Sequence, residues 1–346
     1  MLYFLFLTLL FLIICICVGW VGKVKKSEFM SYEFTNAIKG FAILTVIWAH
    51  SGAHLNIGGI QFIAGIGVAL FLICSGYGLE KSFNKNGIDG FFEKRLLRVC
   101  VPYWIITTLG DFTMPDWSMK VYLEKMIFVK AGWYIKYILV CYFIFYIVKR
   151  VKIKYRLSDI SEIKTFFAIY TIWFAVDSAF FANPEIPFLA ARQMLCFPMG
   201  VFIAKSNIVK EKISNFAIMF ITGGIGIVFM VVTQLPCVKS LPILISNSIS
   251  LLTVFPLAIA TLVFFDKISW ILNNKFVSFS GIMSYELFLV HGYTENLITQ
   301  SVSSICVCLI VTYGVAYCVH QTLNWKVKKN DGFDCCNINK KRRKKY

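Results

Sequence analysis

Apolar runs of about 15 to 23 residues recur along the chain, separated by short segments in which lysine and arginine gather in every second gap. This alternation constrains the fold more than any other feature. A helix rises about 1.5 Å per residue and a bilayer core is about 30 Å thick, so runs of this length suit membrane-spanning helices. Apolar residues are 58% of the 346 and charged ones only 15%, with a mean hydropathy of +0.71, beyond what a soluble domain of this size tolerates. The predicted class is an all-α polytopic membrane protein with about eleven transmembrane helices, at 2–21, 36–52, 62–80, 99–113, 132–148, 165–181, 187–204, 215–235, 243–265, 278–298 and 302–323. The first run lacks a basic lead-in and a small-residue cleavage site, and Lys23, Lys25 and Lys26 follow it, so it predicts an uncleaved anchor.

Charge supplies an independent check. With the N-terminus outside and the C-terminus cytosolic, 28 of the 35 lysines and arginines fall in inside segments, and only Lys120, Lys125, Lys130 and Lys239 fall outside. Short cytosolic loops carry such an excess, so this bias predicts a multi-pass protein of the cell membrane in that orientation. The net charge of +17 follows largely from it, helped by the Lys340–Lys345 tail, which suits anionic lipid headgroups. No aromatic interleaving or folded module accompanies the tail, which argues against nucleic acid as a partner. The twelve cysteines show no zinc-like spacing and read as apolar fillers, and no metal site is expected. The domain organisation expected is an anchor with its basic loop at 1–33, a membrane domain at 34–323 and a cytosolic tail at 324–346.

With no long extramembrane piece, any chemistry falls to the few ionisable residues within the spans, where such groups are costly and mark function. Lys39 and His50 stand eleven residues apart, which is about three helical turns, so they share a face some 16 Å apart along the axis. His291 lies at a depth similar to His50, and Ser284, His291 and Glu295 fall on one face by their seven- and four-residue spacings, so Glu295 is placed to orient or charge the imidazole. Arg95 and Arg98 share a face where the fourth span leaves the cytosol. Two guanidiniums there suit a phosphate-bearing ligand, and Pro102 should open the helix beside them. Ser75-Gly76-Tyr77-Gly78 predicts a close helix crossing. Asp177 and Arg192 are expected to pair with each other, while His54 and His320 look incidental.

These elements resemble the acyltransferase 3 family of integral membrane O-acyltransferases that modify cell-surface glycans. The resemblance rests on Lys39-x10-His50, Phe71-x-x-x-Ser75-Gly76-Tyr77, Arg95-x-x-Arg98 followed by Pro102, Trp133-Tyr134-Ile135, Phe197-Pro198-Met199-Gly200, and Ser284-Tyr285-Glu286-Leu287-x-Leu289-x-His291, in family order from about residue 34 to 323. Position 39 holds Lys where many members have Arg. The first helix is additional to the ten-helix core that the resemblance implies, and no esterase-like domain is appended.

The resemblance implies transfer of an acyl group, usually acetyl, from cytosolic acyl-CoA (a co-substrate, with no tightly bound cofactor) to a hydroxyl of a cell-surface glycan or lipid-linked oligosaccharide. On that basis the expected catalytic residues are His50 as general base, His291 as its partner or a second base, and Lys39. Arg95, Arg98 and Ser75 are expected at the donor, and Tyr77, Trp133, Tyr285, Glu286 and Glu295 at the substrate. The alternative is a transporter or flippase for a lipid-linked sugar or small anion using the same polar residues. The absence of an internal repeat speaks against it.

Overall fold

The computed structural model describes residues 2–20, 27–57, 59–113, 118–128, 132–181, 191–272 and 274–342. These residues are mainly helical, with no strand among them. The described parts of the apolar runs expected to span are mainly helical, and three helices are individually long and apolar enough to cross a membrane: Gln61–Asn86, Ile243–Lys267 and Val302–Leu323. Asn207–Ile213 with Phe216–Val232 makes a fourth if the pair, bent by 67°, is one span. The others are shorter, interrupted, or carry charge, and the eleven-span count therefore exceeds what the helices show by themselves. Residues 22–26, Lys130 and Pro187 lie outside the described residues, as do the side chains of the 324–346 tail with Cys335 and Cys336.

Local signals set the helix ends. Ser31 caps the Tyr32–His54 helix, its Oγ accepting from the Phe34 N–H at 3.2 Å. Gly87, at φ 67°, stops Gln61–Asn86 in a conformation that costs glycine nothing. The run at 99–113 opens, as expected, ahead of Pro102: a π-helical turn at Leu96–Cys100 precedes the Val101–Asp111 helix.

The expectation of one continuous helix over 278–298 is corrected. The chain breaks at Met283 between Lys275–Ile282 and Ser284–Thr294, then tightens into a 3₁₀ turn at Glu295–Leu297. Asn274 caps the first piece through the Val277 N–H at 2.8 Å, and Ser280 Oγ turns back onto the Phe276 carbonyl at 2.9 Å.

Glycines set the helix spacing. A Cβ on Gly76 would collide with the Phe197 carbonyl, and one on Gly200 with the Ile73 carbonyl, so Gln61–Asn86 and Cys196–Lys205 cross almost backbone to backbone. The Tyr32–His54 helix meets Lys275–Ile282 through a second such pair, Gly40 and Gly281. The N-terminal helix Leu2–Trp20 is tied to the His50 helix: Trp48 Nε1 donates to Thr8 Oγ1 at 2.8 Å and the Phe4 and Trp48 rings lie 5.0 Å apart. Outward faces are apolar, as in Phe220, Val228 and Ile310, each more than half exposed, which is a surface suited to hydrocarbon. The nine described cysteines are free.

Lysines assigned to cytosolic loops are in part buried instead. Lys149 Nζ lies 2.5 Å from both Glu80 Oε2 and Glu162 Oε1, all three side chains fully buried. Lys205 reaches Glu162 at 2.5 Å, Asp159 at 2.9 Å and Glu80 at 3.2 Å, and Lys152 pairs with Asp159 and with Glu162. Three lysines thus face three carboxylates and join Gln61–Asn86, Trp133–Tyr155, Asp159–Val176 and Cys196–Lys205. Hydrogen bonds from Lys152 and Lys205 push the Asp159 carboxyl down to about 2.

Candidate active site

Two cavities meet inside the bundle. The first, about 600 Å³, is lined by His50, His291, Glu295, Trp133, Arg192 and Gln193, among others. The second, about 530 Å³, holds Lys39, Ser75, Arg95, Arg98, Tyr285, Glu286 and His320. Tyr134 and Phe288 line both, their rings 4.8 Å apart, so an aromatic partition separates the two. The Tyr32–His54 helix runs along the pair. It puts Lys39 in one cavity and His50 in the other, as three turns on one face require.

In the first cavity His50 Nδ1 lies 3.2 Å from Glu295 Oε2, and His54 Nε2 lies 3.9 Å from Glu295 Oε1. The imidazoles of His50 and His291 stand edge to face with centroids 5.1 Å apart. His50 is partly exposed to the cavity, while His291 is buried with its Nδ1 unpartnered. His54, read as incidental, belongs to this group. His50, His291 and Glu295 each offer one donor atom, all within 4.8 Å, a spacing able to hold a metal ion as well as a proton-transfer pair. Trp133 adds an aromatic face beside Tyr134, centroids 6.1 Å apart. Lys125 bonds Asp111 at 2.7 Å, and Asp111 also accepts from Tyr293 at 3.2 Å, which fixes the far wall.

The break at Met283 redistributes the expected residues of the tenth run. Seven residues, or about 10 Å of helix, separate Ser284 from His291, so Ser284 lines the second cavity and His291 the first. Glu286 also faces the second cavity, where His320 Nδ1 sits 2.9 Å from its Oε1, so His320 too is a site residue. Tyr285 donates its hydroxyl to the Val99 carbonyl at 2.9 Å, at the π turn ahead of Pro102, and that proton is committed to the backbone. Arg95 lies over the Phe91 and Tyr142 rings at 5.5 and 5.6 Å. Its Nε is buried without a partner, and Arg98 is exposed.

Tyr77 packs near the Gly200 crossing with Lys81 5.6 Å over its ring, and is not among the lining residues of either cavity. The expected Asp177–Arg192 pair does not form among the described residues. Arg192 turns into the first cavity, where Gly65 makes room for its guanidinium. Sequence reasoning missed Gln193, fully buried at the same wall, because nothing in its neighbours' pattern marks it.

The described residues thus form a helical bundle with a His–Glu pair in one cavity and a cationic cavity behind it. A family model described as an acyltransferase domain matches residues 32–321, most of the chain, and the protein belongs to that family of membrane acyltransferases. Comparison with curated proteins finds no match, and comparison with solved structures finds none either.

Proposed function

We propose that the protein is an O-acetyltransferase that takes acetyl from cytosolic acetyl-CoA and passes it to a hydroxyl of a glycan on the outer side of the cell membrane. The observation that carries this reading is the pair of cavities meeting at Tyr134 and Phe288, one lined by three cations and the other by His50 and Glu295. In this reading all eleven apolar runs cross the bilayer, the short and broken ones inside a shared bundle. The first helix stands outside a ten-helix core, with the N-terminus outside and the C-terminus cytosolic.

Lys39, Arg95 and Arg98 would hold the donor phosphates, Arg95 and Arg98 as charge-assisted donors. The thin pantetheine arm would carry the thioester past the aromatic partition. With Glu295 beside Nδ1, the His50 Nε2 is left to take the acceptor's hydroxyl proton. The oxygen attacks the thioester carbonyl, the C–S bond breaks, and the thiolate leaves as CoA after receiving the proton. His291 stands against His50 and shapes the pocket. We assign no metal to this chemistry.

The test is His50→Gln, which keeps a hydrogen bond but accepts no proton. Glycan acetylation should fall by about 10²- to 10⁴-fold in a protein still inserted at normal levels. A near-normal rate would remove His50 as base and leave His291 to be examined. A transporter reading is separated by the donor: counterflow of a sugar or anion in liposomes without CoA release would favour it.

A further inference from the structure

The wall of the first cavity carries two consecutive polar side chains, Arg192 and Gln193, with buried polar atoms that find no partner among the described residues. Arg192 Nε is buried without a partner, and both side-chain atoms of the fully buried Gln193 are likewise unpartnered. No carboxylate of the described residues forms an ion pair with Arg192 (Asp177, the nearest expectation, does not). A buried polar group without a partner is costly, and a guanidinium without a counter-charge more so, so the arrangement is stable when a ligand completes it. The fold makes space for it: a Cβ on Gly65 would stand 3.3 Å from the guanidinium carbon.

Arg192 also lines a third cavity, of about 490 Å³, which lies against the Phe216–Val232 and Ile243–Lys267 helices. Its lining includes Phe62, Met230, Val254 and Leu257, with the polar Thr233, Gln234, Ser246, Ser250 and Thr253 among them. A cation therefore stands at the junction of a cavity holding the reactive histidines and one with an apolar wall of Phe62, Met230, Val254 and Leu257. A molecule that uses both is an anionic amphiphile with its charge at the junction.

We propose that the acceptor is a glycan carried on a lipid phosphate. Arg192 binds the phosphate oxygens, Gln193 hydrogen-bonds the same group or the first sugar, and the hydrocarbon chain enters the third cavity. The sugar then faces His50. This rests on the acyltransferase reading and narrows its acceptor from glycans in general to those with a phosphate beside a long hydrocarbon.

The experiment measures binding of four probes to the purified full-length protein in nanodiscs: a long-chain polyisoprenyl phosphate, the matching uncharged polyisoprenol, inorganic phosphate, and glucuronate. The polyisoprenyl phosphate should bind about ten- to a hundredfold tighter than the alcohol, the effect of one charge-assisted contact, with inorganic phosphate and glucuronate far weaker. Arg192→Gln should bring the phosphate down to the alcohol, whereas Arg192→Lys should keep part of the preference. Ser250→Phe, which fills the third cavity, should weaken both lipids alike. No preference for the phosphate in the unmodified protein, or a preference that survives Arg192→Gln, overturns the proposal. So does glucuronate or inorganic phosphate binding as tightly as the lipid phosphate, because the hydrocarbon would then add nothing. CoA release from acetyl-CoA, followed in the same preparations, reads the catalytic assignment separately. Release without phosphate preference refutes the acceptor alone, and phosphate-dependent binding with no release under any acceptor refutes the acyltransfer.

Discussion

At the residue scale, few groups face the cavities with chemistry to offer. His50 has a carboxylate at 3.2 Å and a second imidazole edge-on, so its orientation depends on Glu295. Glu295→Gln should therefore lower kcat less than His50→Gln does, by about tenfold, the share of a positioning partner rather than of the base. If Glu295→Gln is as inactive as His50→Gln, the carboxylate itself moves the proton.

On the donor side, Arg95→Ala should raise the KM for acetyl-CoA by about ten- to a hundredfold with little change in kcat, measured by CoA release over a donor titration. An unchanged KM would return Arg95 to simple charge anchoring at the membrane face. Prolonged dialysis against EDTA should leave activity intact. Loss of activity that Zn²⁺ restores would instead make His50, His291 and Glu295 metal ligands. Most of these residues were legible in the sequence because an ionisable side chain in an apolar run stands out, and helical phase says which of them align. His54, His320 and Gln193 were not, because their importance comes from partners and cavities that appear only when distant helices meet.

At the element scale the helices are positioned by small residues and by buried charge. Gly76→Val would force the Gln61–Asn86 and Cys196–Lys205 helices apart at the Phe197 carbonyl, and thermal stability in detergent should drop clearly below that of Gly78→Val, where a Cβ meets open space. The close crossing was legible in the Ser75–Gly78 cluster, though its partner was not. Nor was the break at Met283. Apolar periodicity continues through 278–298, and the break falls at Met283, just after Gly281 packs against the Asn36 carbonyl of the Tyr32–His54 helix.

The six-charge cluster is the other element-scale surprise, since lysines near a span end look alike in sequence whether they face water or carboxylates. Glu80→Ala leaves Lys149 buried with half its compensation and should destabilise by about 3–5 kcal/mol, seen as a lower Tm and poor expression. The lowered Asp159 carboxyl adds a pH dependence. Its contribution is present above the ordinary carboxylate range near 4 and is lost as pH falls toward about 2. Asp159→Asn should flatten the loss of stability between those values, and an unchanged acid profile would mean the contact adds nothing.

At the scale of the whole molecule, the bundle stacks a cationic cavity and a histidine cavity along one helix, with an aromatic partition between. The positive-inside bias is legible in the loop charges alone and indicates which cavity should meet the cytosol, because lysine and arginine resist translocation. The partition was not legible, since Tyr134 and Phe288 are ordinary aromatics in ordinary apolar runs. In the proposed reaction, donor and acceptor are used from opposite sides. The most direct test supplies labelled acetyl-CoA to sealed membrane vesicles prepared from the native host in known orientation, with the His50→Gln protein as control. Inverted vesicles, cytosolic face outward, should incorporate label into luminal glycan that becomes accessible to glycosidase only after detergent, and right-side-out vesicles should incorporate none. Equal labelling in both orientations, or label confined to the face that receives the donor, would contradict transfer across the membrane.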